Sequence, residues 1–265
     1  MKRIILTTES GADLPEELAK KYEIQVVPMH VIMGGKDYLD GSLPVQEIYS
    51  YYDRTQQIPS TTSTNTHEYH NFFTRINQDF ADCTIVHIGY TSKASSSFHN
   101  AVLASEDFDN LYLIDALNVT GGLTAIVMYA AKLLEDEPSI EAEALVEKIK
   151  TSIPKARLAF IPGSLDFLKA GGRVSNFAYL GGTLLKLKPR IELVDGLLLS
   201  NKKYRGKMNK VSEKLMHDYF TEYNIDREQL YLIYSVGLDE GIKERASAIA
   251  KDYGFKNIHW MQAGA

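Results

Sequence analysis

The stretch CTIVHIGYTSKASSSFHNAVLAS, residues 83–105, combines a nearly continuous apolar run, a cluster of hydroxyl side chains and an apolar helical pattern. The run at residues 83–90 is typical of a buried strand. Residues 95–105 have the composition and spacing of a helix. Strand, polar loop and helix in direct succession form the repeating unit of a parallel α/β sheet.

The same alternation extends through the first half of the chain. Further buried strands are predicted at residues 3–8, 24–33 and 111–116, and helices at residues 14–22, 66–78 and 124–136. This pattern predicts an α/β domain with a mostly parallel, doubly wound sheet. Asp13 and Glu16 have the spacing of a capping box at the first helix, with Pro15 tolerated in its first turn.

The second half has a different order of elements. Strands are predicted at residues 157–163, 189–194, 197–203 and 230–235, and helices at residues 164–170, 177–186, 209–223 and 239–253. The dipeptide Asp195-Gly196 between two apolar runs strongly indicates a β-hairpin. We therefore expect an α+β domain with antiparallel pairs at residues 151–265, after an α/β domain at residues 1–150.

Composition narrows the class of protein. With 265 residues, of which 45% are hydrophobic and 24% charged, the chain can bury a sizeable core. A net charge of -5 provides no overall positive field for DNA or RNA. The single cysteine, Cys83, cannot form an internal disulfide, and no stretch reaches the roughly 20 apolar residues of a membrane span. These features predict a cytoplasmic protein without a nucleic-acid partner or stable membrane insertion.

Two hydroxyl-rich clusters are the candidate binding residues. One, at residues 58–69, precedes a predicted helix, and the other, at residues 90–98, follows a predicted strand. Ligands of open α/β sheets bind at the carboxyl ends of strands, where helix N-termini offer unpaired N–H groups to an anion. Hydroxyl donors there suit a carboxylate or a phosphate. Alternatively, the same residues cap helices and line loops.

Motifs of catalysis are absent. The chain contains no G-x-S-x-G, G-x-x-x-x-G-K-[ST], G-x-G-x-x-G or H-E-x-x-H motif, and no recognisable nucleophile–base pair. SNKK at residues 200–203 matches S-x-x-K by chance composition. His67 and His70 lie on adjacent turns of one predicted helix but lack a third ligand, so no metal site is predicted. A binding protein is therefore favoured over an enzyme. The alternative is a small-molecule phosphotransferase or hydrolase that uses the hydroxyl clusters with His87 or His99.

A basic segment in the second half has two interpretations. Arg173 follows Gly171 and Gly172 at the end of a short predicted helix, where it either bonds the last carbonyls of that helix or faces an anionic partner. The other basic residues of this surface are Lys186, Lys188, Arg190, Lys202, Lys203 and Arg205.

Several segments together resemble the DegV family. They are ILTTESGADLP (5–15), GGKDYLDG (34–41), PSTTS (59–63), TSKASSSFHNA (91–101), LIDALNVTGG (113–122) and LDFLKAGGRVSNFAYLGGTLLKLKPRIELVDG (165–196). The resemblance covers nearly the whole chain and implies a bacterial two-domain α/β protein that binds one long-chain fatty acid in an apolar tunnel. It also implies that the acyl carboxylate is presented to a separate ATP-dependent fatty acid kinase subunit, which makes acyl phosphate. No cofactor is implied, and the bound fatty acid is the ligand.

The resemblance implies roles for individual residues. The residues that face the carboxylate are Thr61, Thr62, Ser63, Thr91, Ser92 and Ser95. Gly171, Gly172, Arg173 and Arg205 belong to the tunnel wall or to the surface that faces the kinase.

The chain also departs from the family pattern. Glu9 stands in place of an aspartate, Ser96-Ser97 in place of Gly-Thr, and Ala116 in place of a serine. The family continues beyond the position of Ala265 into a further strand and a histidine that contacts the carboxylate. Either the natural C-terminus extends beyond Ala265 or the protein has lost this contact, and in both cases the head-group site of residues 1–265 is expected to be incomplete.

Overall fold

The computed structural model describes residues 2–174 and 187–264, so the predicted helix at residues 177–186 and Lys186 lie outside the described residues. The chain divides into two compact units. The first comprises residues 1–157 with 264–265, and the second comprises residues 158–263. No helix of the described ranges has the length and apolar character needed to cross a membrane.

The first unit alternates strands and helices. Its described strands are β1 (Arg3–Glu9), β2 (Gln25–Val27), β3 (His30–Met33), β4 (Lys36–Leu39), β5 (Ser60–Thr62), β6 (Cys83–Gly89) and β7 (Leu111–Asp115). Its described α-helices are α1 (Glu16–Lys21), α2 (Val45–Thr55), α3 (Thr66–Asp79), α4 (Ser97–Ala104), α5 (Thr120–Asp136) and α6 (Ala142–Ser152).

Four of these strands form the parallel sheet that the sequence predicts, in the order β2-β1-β6-β7. All seven residues of β6 are buried, as expected for an interior strand covered on both faces. Helices α3 and α4 share one hydrophobic core with Ile5 of β1 and Ile85 of β6. Helices α5 and α6 contact the same sheet without contributing to that core, so they cover its other face.

A second, antiparallel sheet of the first unit was not predicted. It has the order β4-β3-β5 and places Thr61 and Thr62 opposite Val31 and His30. The sequence predicted one strand over residues 24–33, but the structure divides this run into β2 and β3. Pro28, which has no N–H to donate, lies between them.

The capping box predicted at α1 is wrong. Asp13 has a left-handed backbone conformation, with φ of 53°, and α1 begins after Pro15 without a side-chain cap. A capping box is present instead at α3, where the Asn65 side chain accepts from the Glu68 N–H at 3.0 Å and Glu68 accepts from the Asn65 N–H at 2.8 Å.

The second unit has a mixed α+β composition. Its described strands are β8 (Ala159–Phe160), β9 (Leu187–Val194), β10 (Leu197–Arg205), β11 (Gln229–Tyr234) and β12 (Asn257–Gln262), and its helices are α7 (Asp166–Gly171), α8 (Met208–Glu222) and α9 (Glu240–Asp252). Strands β10, β9 and β8 form an antiparallel sheet, whereas β11 and β12 pair in parallel. Helices α8 and α9 pack together through a core that includes Phe220 and Ile249.

The predicted hairpin is confirmed. Asp195 and Gly196 connect β9 to β10 and both have positive φ, 49° and 81°, as a type I′ turn requires. The strand predicted at residues 157–163 is reduced to Ala159–Phe160, and β12 was not predicted.

Candidate functional site

The structure brings the two hydroxyl-rich clusters together. The Oγ atoms of Ser63 and Ser96 are 2.8 Å apart and share a hydrogen bond. Asn100 of α4 donates its side-chain N–H to the Thr64 carbonyl at 2.8 Å and to Ser63 Oγ at 3.4 Å. The loop after β5 is therefore joined to the first turn of α4, which follows the carboxyl end of β6.

Two threonines of the first cluster are accessible. Thr61 and Thr62 lie on β5 and are exposed, and Ser63 follows them directly. Consecutive strand residues point to opposite faces, so Thr61 and Thr62 present their hydroxyls on opposite sides of this short strand.

The second cluster is held by backbone hydrogen bonds. The Thr91 N–H donates to the Asn118 carbonyl at 3.1 Å, and Thr91 is buried. The N–H of the exposed Ser92 lies 3.3 Å from both carboxylate oxygens of Asp115, at the end of β7. Ser95 Oγ accepts the N–H of Ser97 at 3.1 Å, which leaves the Ser95 proton to be donated to an acceptor.

A buried carboxylate lies beneath this loop. Glu9, at the end of β1, is fully buried and accepts the N–H of Tyr90 at 2.8 Å. Tyr69 of α3 donates its hydroxyl to the other carboxylate oxygen of Glu9, and Tyr69 also shares a 2.9 Å hydrogen bond with Ser97. Burial, followed by the charge of Glu9, raises the pKa of Tyr69 well above its usual value, so Tyr69 stays a neutral donor.

His30 holds the antiparallel sheet against α3. Its Nδ1 lies 2.8 Å from Asp37 of β4, and its Nε2 lies 3.0 Å from Glu68 of α3. Burial lowers the pKa of His30, but the hydrogen bonds and charges of the two carboxylates outweigh it and raise the pKa above 6.5. Because Thr62 pairs with His30, this contact also fixes the strand that carries Thr61 and Thr62.

The histidines named for a hydrolase or phosphotransferase do not meet the hydroxyl clusters. His87 is buried on β6, and its Nδ1 lies 2.9 Å from Thr7 of β1, while its Nε2 lies 3.7 Å from Glu9 and has no hydrogen-bond partner among the described residues. His99 is an exposed residue of α4. Neither forms a described hydrogen bond with Ser92 or Ser95, which is the geometry that an activated nucleophile needs.

Metal ligation has no support in the described parts of the chain. No group of three or more histidine, cysteine or acidic side chains is arranged to hold an ion there. His67 interacts with Asn71 at 3.1 Å, and His70 lies 3.5 Å from Asp107.

In the second unit, Arg173 bonds the end of its helix, as one of its two interpretations predicts, and the residue is exposed. Gly172 ends α7 in the left-handed conformation, with φ of 67°, and the Arg173 guanidinium donates to the Gly171 carbonyl at 2.5 Å. Arg205 is the last residue of β10 and is exposed.

Two residues of the basic surface are paired with acidic residues of α8. Arg190 is buried, and its guanidinium donates to Glu222 at 2.6 Å. Lys202 forms ion pairs of 2.7 Å with Asp218 and 2.6 Å with Glu222. Acidic residues of α8 therefore neutralise these two charges, a pairing that linear sequence does not reveal.

Sequence reasoning missed the residues that support the hydroxyl loops. Glu9 was noted only as a departure from a family pattern, and Tyr69, Asn100 and Asp115 were assigned no role. The available signal was the position of Glu9 and Asp115 at the ends of β1 and β7, where ligand sites of such sheets form.

A family model described as an uncharacterised protein of the DegV family matches residues 3–265. The chain belongs to the DegV family. A fatty acid-binding protein from Thermotoga maritima is 29% identical to this DegV chain over 226 residues, which are 82% of the chain and 77% of the relative.

Solved structures of DegV proteins share the fold. A DegV family protein from Thermus thermophilus, described with its fatty acid binding, has a TM-score of 0.87 at 23% identity and covers 99% of this chain and 93% of its own. A stearic acid-binding protein from Eubacterium ventriosum has a TM-score of 0.80 at 24% identity, and the match covers 95% of this chain and 88% of the Eubacterium ventriosum chain. These likenesses confirm the α/β fold class.

Proposed function

We propose that this DegV protein binds one long-chain fatty acid in an apolar tunnel and holds its carboxylate at the two joined hydroxyl loops. The Ser63–Ser96 hydrogen bond of 2.8 Å carries the proposal, because it joins the loop that follows Thr61 and Thr62 to the loop between β6 and α4. The family relatives that bind fatty acids, one of them stearic acid, support the choice of ligand.

The physical chemistry of the loops suits a carboxylate. Hydroxyl groups donate hydrogen bonds to an anion without adding charge. The bond from the Ser97 N–H uses only a lone pair of Ser95 Oγ, so the Ser95 proton can still be donated. Burial of an acyl chain contributes about 0.8 kcal/mol per methylene, so the head group needs only to be oriented. The ligand is bound unchanged, and this chain acts as a binding protein without a catalytic residue of its own.

Extraction with organic solvent and mass spectrometry tests the ligand. We expect about one fatty acid per chain in the parent protein, and lower occupancy in Thr61→Val and Ser95→Ala. Each loses one hydrogen bond to a charged group, worth about 1.5–3 kcal/mol or roughly one to two decades of affinity. Thr151→Val, on α6, is the matched control and should keep the parent occupancy. Parent-like occupancy in both loop variants would exclude these hydroxyls from the head-group site.

We further propose that the bound acid is presented to a separate ATP-dependent fatty acid kinase subunit. A carboxylate oxygen would attack the γ-phosphorus of ATP, the bond to the β–γ bridging oxygen would break, and acyl phosphate and ADP would form. The exposed Arg205, and Arg173 at the end of α7, are the proposed contacts with the kinase.

Charge reversal at the two arginines distinguishes presentation of the fatty acid to the kinase from binding of the fatty acid. Arg173→Glu and Arg205→Glu should retain the fatty acid but slow acyl-phosphate formation by a bacterial fatty acid kinase. Lys251→Glu, an exposed residue of α9, provides a control of equal charge change. Equal rates for all three variants would remove both arginines from the interface. Turnover of an ester or phosphoester by this chain alone would instead favour the hydrolase alternative.

A further inference from the structure

A chain of three buried side chains begins beneath the hydroxyl loops. Glu9 of β1, Tyr69 of α3 and Ser97 of α4 each have a relative exposure of 0%. Tyr69 bonds to both of the others, to Glu9 through a short hydrogen bond and to Ser97 at 2.9 Å. A buried polar group without a hydrogen bond costs free energy, so these hydrogen bonds favour the one arrangement in which Glu9, Tyr69 and Ser97 are all bonded.

The direction of the hydrogen bonds is fixed. Both oxygens of the Glu9 carboxylate accept, one from the Tyr90 N–H at 2.8 Å and one from the Tyr69 hydroxyl. A tyrosine hydroxyl has a single proton, so the hydrogen bond between Tyr69 and Ser97 must use the Ser97 proton. The protons therefore point from Ser97 to Tyr69 and from Tyr69 to Glu9.

The outer end of this chain is the junction of the two hydroxyl loops. Ser97 is the first residue of α4, and its N–H donates to Ser95 Oγ at 3.1 Å. The preceding residue, Ser96, bonds to Ser63 of the other loop at 2.8 Å. Fixing Ser97 therefore fixes the hydroxyls on either side of the junction.

We infer that Glu9 and Tyr69 are positioning residues for the ligand's anionic head group: they hold Ser97, and through it the Ser95 and Ser63 hydroxyls, in the arrangement that receives a carboxylate. The inference rests on the proposed function for the identity of the ligand. Neither residue touches the ligand in this arrangement. Their contribution is preorganisation, which raises affinity because the loops do not have to be ordered on binding.

Tyr69→Phe is the first test, measured by titration of delipidated protein with stearic acid. We expect the dissociation constant to rise about tenfold, which corresponds to about 1.4 kcal/mol. Ile149→Val, a substitution of a fully buried residue on α6, is the control for a general loss of stability and should bind as the parent does. Parent-like affinity of Tyr69→Phe would overturn the inference.

Glu9→Gln is the second variant, in case loss of the tyrosine hydroxyl prevents folding. An amide has one acceptor oxygen in place of two, so either the Tyr69 hydroxyl or the Tyr90 N–H would face its NH₂ group. We expect the same direction of change in affinity as for Tyr69→Phe. Unchanged affinity in a folded Glu9→Gln protein would contradict the role of Glu9.

Hydrogen exchange of the ligand-free protein separates this inference from the proposed function. Amides of residues 95–100 should exchange faster in Tyr69→Phe than in the parent, while those of α5 should not change. If the parent fails to bind stearic acid, the proposed function fails, yet faster exchange at residues 95–100 alone still supports the positioning role. Equal exchange rates at residues 95–100 in the parent and Tyr69→Phe would overturn the positioning role, whatever the ligand is.

Discussion

Replacing Asp13 by asparagine should remove a pH-dependent cost to the stability of the first unit. Asp13 follows the single 3₁₀ turn after β1, and its Oδ1 accepts the Gly264 N–H at 2.7 Å. Its other oxygen accepts the Thr120 hydroxyl at the start of α5. Burial, with a smaller effect of Asp40, raises the pKa of Asp13 to about 6, although the two hydrogen bonds oppose this shift.

The size of the expected stability change follows from the pKa shift of Asp13. A rise from 3.8 to about 6, at about 1.36 kcal/mol per unit, gives an upper bound of about 3 kcal/mol. Because Asp13 keeps some exposure to solvent, the actual cost to the free energy of unfolding is smaller than this bound, and we expect about 1–2 kcal/mol. The folded chain keeps the Asp13 proton between pH 3.8 and about 6, whereas the unfolded chain has lost it, so stability falls as the pH rises through this window.

Asparagine tests this reasoning because it tolerates the left-handed backbone and keeps one acceptor oxygen for Gly264. The Thr120 hydroxyl can rotate to accept from the new NH₂ group. Denaturant unfolding should show that Asp13→Asn gains stability relative to the parent between about pH 4 and pH 7. Asp53→Asn, at an exposed residue of α2, is the control. If the free energies of unfolding of the parent and Asp13→Asn differ by the same amount over this pH range, the reasoning is refuted.

Three further changes test the contacts around the site, each by denaturant unfolding. His30→Gln should lower the free energy of unfolding most at low pH, and this loss should shrink as the pH rises above 6.5, because the raised pKa of His30 gives stability that is lost on deprotonation. A loss that does not depend on pH would contradict the contacts of charged His30 with Asp37 and Glu68. Gly89→Ala should cost about 1–3 kcal/mol, because its Cβ would lie 2.6 Å from the Phe98 ring; a neutral result would show that the ring moves away easily. Asn65→Ala should cost about 1 kcal/mol through loss of the α3 cap, and Asn65→Asp should restore most of it; a neutral alanine variant would mean that the cap is not needed.

The sequence predicted the elements whose signal is local. The apolar run of β6 and the periodicity of α3 gave strand and helix bounds within one residue of those observed. The Asp195-Gly196 turn was also readable, because positive φ at two adjacent residues restricts the residue types. Strands β4, β5 and β12 were missed, since short strands with mixed polarity depend on their pairing partners for stability.

The sequence by itself determined the fold class and the two groups of hydroxyl residues, because strand–helix alternation and residue chemistry are written along the chain. Only the tertiary structure decided that Ser63 meets Ser96, 33 positions away, and that Tyr69 bonds both to Glu9, 60 positions away, and to Ser97, 28 positions away. It likewise showed that Asp13, which has the spacing of a helix cap, binds Thr120 and Gly264 instead. The physical reason is that burial and proximity set hydrogen-bond partners and pKa values, and neither is a property of local sequence.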